Sequence, residues 1–218
     1  MEVSVFERRT TNDKIISSST YNLVIGLTLL WGFAINWLMV QHITVESISS
    51  INPIVFFIAY FASCFFGMYL FKKSNTPLVS FVGYNFVVVP FGLIINLVVS
   101  QYNPDVVLEA IRITGMVTFV MMLLGSMYPA FFKKIAGGLT IALLCVIVVE
   151  LIEVFIFKTH HGILDWIVVI IFCGYIGYDW ARANAIPKTY DNAIDSAASL
   201  YMDIINLFLR ILRILGRK

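Results

Sequence analysis

Charge is what this sequence has least of. Asp, Glu, Lys and Arg make up only 13% of its 218 residues, about half the share in a soluble domain. Fifteen Lys and Arg against thirteen Asp and Glu leave a net charge of +2, which excludes a polybasic nucleic-acid-binding surface. Cysteine is sparse as well: Cys64, Cys145 and Cys173 stand singly in apolar runs, without a CxxC or a neighbouring histidine. A zinc site and a disulfide framework are thereby excluded, and the three read as buried small hydrophobes. Walker loops, GxGxxG, HExxH and internal repeats are missing too, so neither an enzyme nor a bound cofactor is expected.

What is abundant is apolar: 60% of the residues are hydrophobic and the mean hydropathy is +0.89. About 20 apolar residues at 1.5 Å rise cross a hydrocarbon core, and seven stretches of about 21 would use roughly 147 residues. The expected fold class is an all-α integral membrane protein with seven transmembrane helices. A short cytoplasmic tail over 1–19 precedes a single seven-helix transmembrane domain over 20–218. The spans are expected near 20–41, 53–71, 77–99, 106–127, 135–157, 163–182 and 193–215. Asn52-Pro53, Thr76-Pro77, Asn103-Pro104 and Ile186-Pro187 punctuate their ends, since proline and the residue before it disfavour helix continuation. Pro90 falls inside the third span, where it frees a carbonyl and kinks the helix. The run from Leu23 to Val40 is too long for a signal-peptide core and reads as a retained first span.

Basic residues near the span ends set the orientation. With the amino terminus in the cytoplasm, Arg8, Arg9, Lys14, Lys72, Lys73, Lys133, Lys134, Arg182 and Lys188 lie inside and Lys158 alone lies outside. The tail breaks the pattern, because Arg210, Arg213, Arg217 and Lys218 end up outside if the seventh span crosses fully. The last segment therefore either ends outside against the rule or re-enters. His42, His160 and His161 fall in outer loops as solvated side chains, and Trp31, Trp37, Trp166 and Trp180 suit interface belts and packing.

An ionisable residue inside a span costs about 2.5 to 3.5 kcal/mol on insertion scales, so each needs a partner, a wet cavity or a neutral state. Glu109 with Arg112 and Glu150 with Glu153, each pair spaced i, i+3, form either a structural polar cluster or an acidic outer vestibule that concentrates cations. Toward the inner side lie Asp179 and Asp203. Ser199, Asp203, Asn206, Arg210 and Arg213 recur at steps of 4, 3, 4 and 3, one polar stripe that must be hidden from lipid. The seventh helix is therefore expected at the centre, wrapped by the other six. Two carboxylates meeting in a low-dielectric site cannot both ionise comfortably and so titrate as a unit. Losing the shared proton would separate them or let them capture a hard divalent cation such as calcium. Spacing alone leaves Asp203 and Asp195 as rival partners of Asp179.

The sixth span ending in GYIGYD at Asp179, the Ser199-Leu200-Tyr201-Met202-Asp203 segment with INLFLRILRILG behind it, and the weaker VVLEA at Val106 to Ala110 resemble the transmembrane Bax inhibitor motif family. The resemblance implies a pH-sensitive calcium leak whose proton-sharing aspartates are Asp179 and Asp203, with calcium as the permeant ion rather than a cofactor. Leak channels of that family also place an arginine near the inner end of helix two. Here Lys72 and Lys73 occupy that region, a point charge in place of a bidentate clamp. Asp195, Asn206 and Arg210 are further candidates to support the gate. The resemblance suits a bacterial or archaeal plasma membrane, with lipid, calcium and protons as partners. Two competing readings are a proton-coupled carrier of a small solute and a membrane regulator acting through a partner protein. An intramembrane aspartyl protease fits poorly, because Asp203 lacks a GxGD setting.

Overall fold

The computed structural model describes residues 14–158 and 162–217, and they are helical almost throughout. In chain order the helices are α1 (Ser18–His42), the short α2 (Val45–Ser49), α3 (Pro53–Lys73), α4 (Pro77–Val99), α5 (Pro104–Met127), α6 (Pro129–Ile152), α7 (Gly162–Ala185) and α8 (Tyr190–Leu215). A π-helical turn, Glu153–Phe157, prolongs α6 and stops at Lys158, whose φ of 52° lies in the left-handed region. Arg8, Arg9, His160, His161 and Lys218 lie outside the described residues.

Proline starts α3, α4, α5 and α6. Its missing N–H is one that the first helical turn leaves unused, and its fixed φ is already helical. Asn52 adds a cap to α3, its Oδ1 accepting from the Ile54 amide at 2.9 Å. The fifth expected span needs correction on this ground, because α6 begins at Pro129 rather than near 135, with Tyr128 alone between it and the end of α5. Lys133 and Lys134 are therefore helical and exposed. Lysine is a good helix former and can reach water from inside a span end.

Six of the helices, α1 and α3 to α7, are long and apolar enough to cross a membrane among the described residues. The seventh long helix differs in kind. At 26 residues, or about 39 Å, α8 has the length to cross, but its charges remove it from the apolar class. From Asp191 to Leu215 not one of its residues is exposed.

The contacts divide the chain into two compact units. One runs to Gln101 and takes in Ile186–Tyr201; the other comprises Tyr102–Ala185 and the chain from Met202. In the first unit α4 packs against both α1 and α3. Gly67 and Gly83 bring the α3 and α4 backbones together, for a Cβ on either would strike the other's carbonyl oxygen. In the second unit α7 packs against both α5 and α6, with Gly125 on the Gly177 carbonyl and the Phe132 ring over Gly177. Buried residues make up 44% of the span window in both α4 and α7 but 6% in α6, which makes α6 the peripheral helix. The cysteines follow suit: Cys64 is buried and Cys173 half-buried, but Cys145 on α6 is exposed rather than buried.

Candidate functional site

Asp179 stands in the last two turns of α7 and Asp203 at the middle of α8. The Asp203 carboxyl lies against that of Asp179, near enough for the two to share a hydrogen bond. Two carboxyl groups can bond in this way only when one of them carries a proton to donate. Asp203 is buried at 8% exposure and Asp179 is half-buried. The pairing is consistent with α7 running past Arg182 to Ala185 and a non-helical connection through Ile186 to Thr189. Asp195, also buried, lies eight residues before Asp203, about 12 Å along the axis of α8. Among the described residues no three His, Cys, Asp or Glu side chains gather to hold a metal. A calcium ion at Asp179 and Asp203 would need most of its six to eight oxygen ligands from elsewhere.

A second cluster closes the other end of the same unit. Asp165, in the first turn of α7, is fully buried. Its Oδ1 accepts from Arg210 Nη1 at 2.9 Å and from Arg213 Nη1 at 3.2 Å, and its Oδ2 from Arg217 Nη2 at 2.7 Å. Arg210 also grips Glu150 with both of its terminal nitrogens, one at 2.8 Å from Oε2. Arg210 and Arg213 share one face of α8, Arg217 follows in the turn just past its end, and Asp165 is what all three meet. The four residues read as a polar cluster or an outer vestibule are placed apart in kind. Glu150 is clamped by arginine, Glu153 is buried in the π turn, and Glu109 and Arg112 sit exposed on α5. Sequence reading missed Asp165 because a carboxylate beside a span end ordinarily needs no partner; the signal was Arg210 and Arg213 in step on α8 with Arg217 close behind.

The supporting candidates are dispersed. Arg210 belongs to the clamp, seven residues or about 10 Å along α8 from Asp203. Asn206 turns back on its own helix, its Nδ2 donating to the Met202 carbonyl at 2.8 Å. Lys72 and Lys73 lie exposed in the last turn of α3. In the first unit, buried polar groups that sequence reading passed over tie the start of α8 to α1 and α4. Ser80 Oγ donates to Asp191 at 2.6 Å, Tyr21 Oη and Ser196 Oγ bond at 3.0 Å, and Asn36 Nδ2 donates to the Tyr201 hydroxyl. A groove of about 680 Å³ beside α3 and α4 is lined mostly by apolar side chains, with Ser63 and Asn85 as its polar members and no charged side chain.

Comparison with known proteins adds identity to this geometry. The family described as "Inhibitor of apoptosis-promoting Bax1" matches residues 13–218. An uncharacterized protein of Helicobacter pylori is 31% identical over 166 residues, covering 74% of this chain and 70% of the relative. An uncharacterized membrane protein of Vibrio cholerae is 30% identical over 172 residues, 78% of this chain and 76% of its own. Protein LIFEGUARD 3 of Arabidopsis thaliana is 33% identical over 132 residues, 57% of this chain and 52% of its own. With six apolar helices and a family match over almost its whole length, the chain is a multi-pass membrane protein that belongs to the Bax inhibitor family.

Proposed function

We propose that this protein is a passive, calcium-permeable leak whose conductance is set by the proton shared between Asp179 and Asp203. The observation that carries the reading is the juxtaposition of these two carboxyls, with Asp203 buried. With the proton in place, α7 and α8 are held together and the path is closed. Without it, two unit charges about 4 Å apart repel by about 4 kcal/mol at an effective dielectric near 20. That is the size of free energy that moves a two-state membrane protein from one conformer to the other.

In this reading the amino terminus is cytoplasmic and α8 crosses at the centre, wrapped by the six apolar helices. Its burial from Asp191 onward supports the central place. The clamp supports the orientation. Arg210, Arg213 and Arg217 are matched by Glu150 and Asp165, so these carboxyl-terminal cations are neutralised locally and weigh little against the inner lysines.

The test is calcium entry into dye-loaded liposomes holding the purified protein, across a pH series, beside empty vesicles. Wild-type flux is expected to rise with pH. Asp203→Asn, whose amide donates to Asp179 at every pH, is expected to stay closed throughout. Flux that ignores pH in the wild type, or an Asp203→Asn protein with the wild-type response, sinks the assigned gate.

A further inference from the structure

α5 buries one side and turns a patterned face outward. Ala110, Thr114 and Gly125 are buried, and Gly125 meets the Gly177 carbonyl of α7. On the opposite side Asp105, Glu109, Arg112, Met116, Phe119 and Leu123 are all exposed. They recur at steps of 4, 3, 4, 3 and 4, the spacing that keeps one seam of a helix against a second, nearly parallel helix. Gly115, on the same exposed side, has nothing within 4 Å of where a Cβ would stand, which leaves room for a close neighbour.

Two of the six are charges set inside a span. α5 has 24 residues and is about 36 Å long. Centred on a hydrocarbon core of about 30 Å, it places Glu109 about 4.5 Å and Arg112 about 9 Å inside the core's edge. An ionisable side chain at such depth needs a partner. Neither of these has a side-chain hydrogen bond or an ion pair among the described residues, so both charges are presented outward.

An acid and a base on one seam complement the same seam of another copy. Copies inserted in one orientation are related by a two-fold axis along the membrane normal, which keeps each residue at its own depth and matches the faces reciprocally. Glu109 and Arg112 lie about 60° apart around α5, on either side of the line through Met116 and Leu123. The two-fold therefore sets acid opposite base on both sides of the seam. Their levels differ by about 4.5 Å, and helix side chains lean toward the amino-terminal end, which carries the long Arg112 side chain toward the level of Glu109. Asp105, in the first turn, falls in the headgroup water, where the helix N-terminus offsets its charge.

We infer that α5 is the interface of a homodimer, with Glu109 of each copy paired to Arg112 of the other and Met116, Phe119 and Leu123 packed along the rest of the seam. The inference stands apart from the leak reading.

Energy transfer between donor- and acceptor-labelled full-length copies in vesicles of phosphatidylcholine and phosphatidylglycerol, followed as lipid is added, tests it. The wild type should associate. Glu109→Lys and Arg112→Glu each set like charges across the seam and should each weaken self-association about tenfold or more. Mixed together, these two variants should associate with one another as the wild type does with itself. The double variant Glu109→Arg with Arg112→Glu should pair with itself but not with wild type, a result that neither a folding defect nor a headgroup contact produces. Wild type that dilutes to monomers, or a mixture of the single variants no better than either alone, overturns the proposal. Single variants that associate like wild type assign both charges to lipid headgroups and overturn it too. If neither single variant inserts, the double variant, which keeps the charge count, decides: transfer to wild type equal to transfer to itself overturns the interface.

Discussion

Ser63 Oγ donates to the carbonyl oxygen of Phe86 at 2.8 Å, and that carbonyl is the one that Pro90, four residues later inside α4, has no N–H to serve. A helix in hydrocarbon cannot leave such a group to water, so α3 supplies the donor. Ser63→Ala should therefore cost about 1 kcal/mol. In a Pro90→Ala background the restored amide meets Phe86, and the same change should cost nearly nothing. Unfolding by sodium dodecyl sulfate in mixed micelles measures both; an equal cost in the two backgrounds would detach the serine from the proline.

The contrast between what could and could not be read in advance follows the range of each interaction. Prolines act on their own and the preceding residue, so the third span was expected at 77–99 and α4 occupies it to the residue. Charges mislead where a long stem separates the ammonium from its backbone. Lys133 and Lys134 looked like loop residues and proved to be helical, which displaced the start of α6. The short α2 had no apolar run to announce it.

Long-range partners were the illegible part of the site. Asp165 meets arginines 45 and 48 residues away, and no local pattern marks which carboxylate a distant stripe will find. Asp179 had two rivals by spacing, and family resemblance rather than geometry pointed to Asp203. The polar stripe on α8 was visible as a stripe, but its division between a carboxyl pair at mid-helix and an arginine clamp at the end was not.

Asp165 gathers three guanidinium groups without itself touching solvent. Removing the carboxylate leaves uncompensated buried charge, and Asp165→Asn should destabilise by about 3 kcal/mol or more. Arg217 is 35% exposed in its side chain, so solvent screens it and Arg217→Gln should cost about 1 kcal/mol at most. Thermal unfolding in detergent gives both values, and a larger loss at Arg217 than at Asp165 would contradict the clamp's centre.

Glycine matters where backbones touch. A methyl on Gly125 would strike the Gly177 carbonyl, whereas one on Gly137 meets nothing within 4 Å. Gly125→Ala should separate α5 from α7 at a cost of about 1 to 3 kcal/mol. Gly137→Ala on the lipid-facing side of α6 should be neutral or stabilising by up to about 1 kcal/mol through helix propensity. Comparing the two by the same unfolding assay separates close packing from any general intolerance of the larger side chain.

The sharpest pH prediction counts protons. The closed pair holds one proton that the separated carboxylates lack, so the closed state binds more protons and raising pH must favour opening. One proton limits the response to about tenfold per pH unit, since each contributes 1.36 kcal/mol per unit. Asp195 lies two turns away on α8, with Asp191 and Ser196 on the same stretch, and it makes no part of the bond between Asp179 and Asp203. Asp195→Asn should therefore keep both the direction and the slope of the wild-type flux curve, while Asp179→Asn should flatten it as Asp203→Asn does. A wild-type slope well above tenfold per unit that falls on changing Asp195 would instead make the gate a three-carboxylate device.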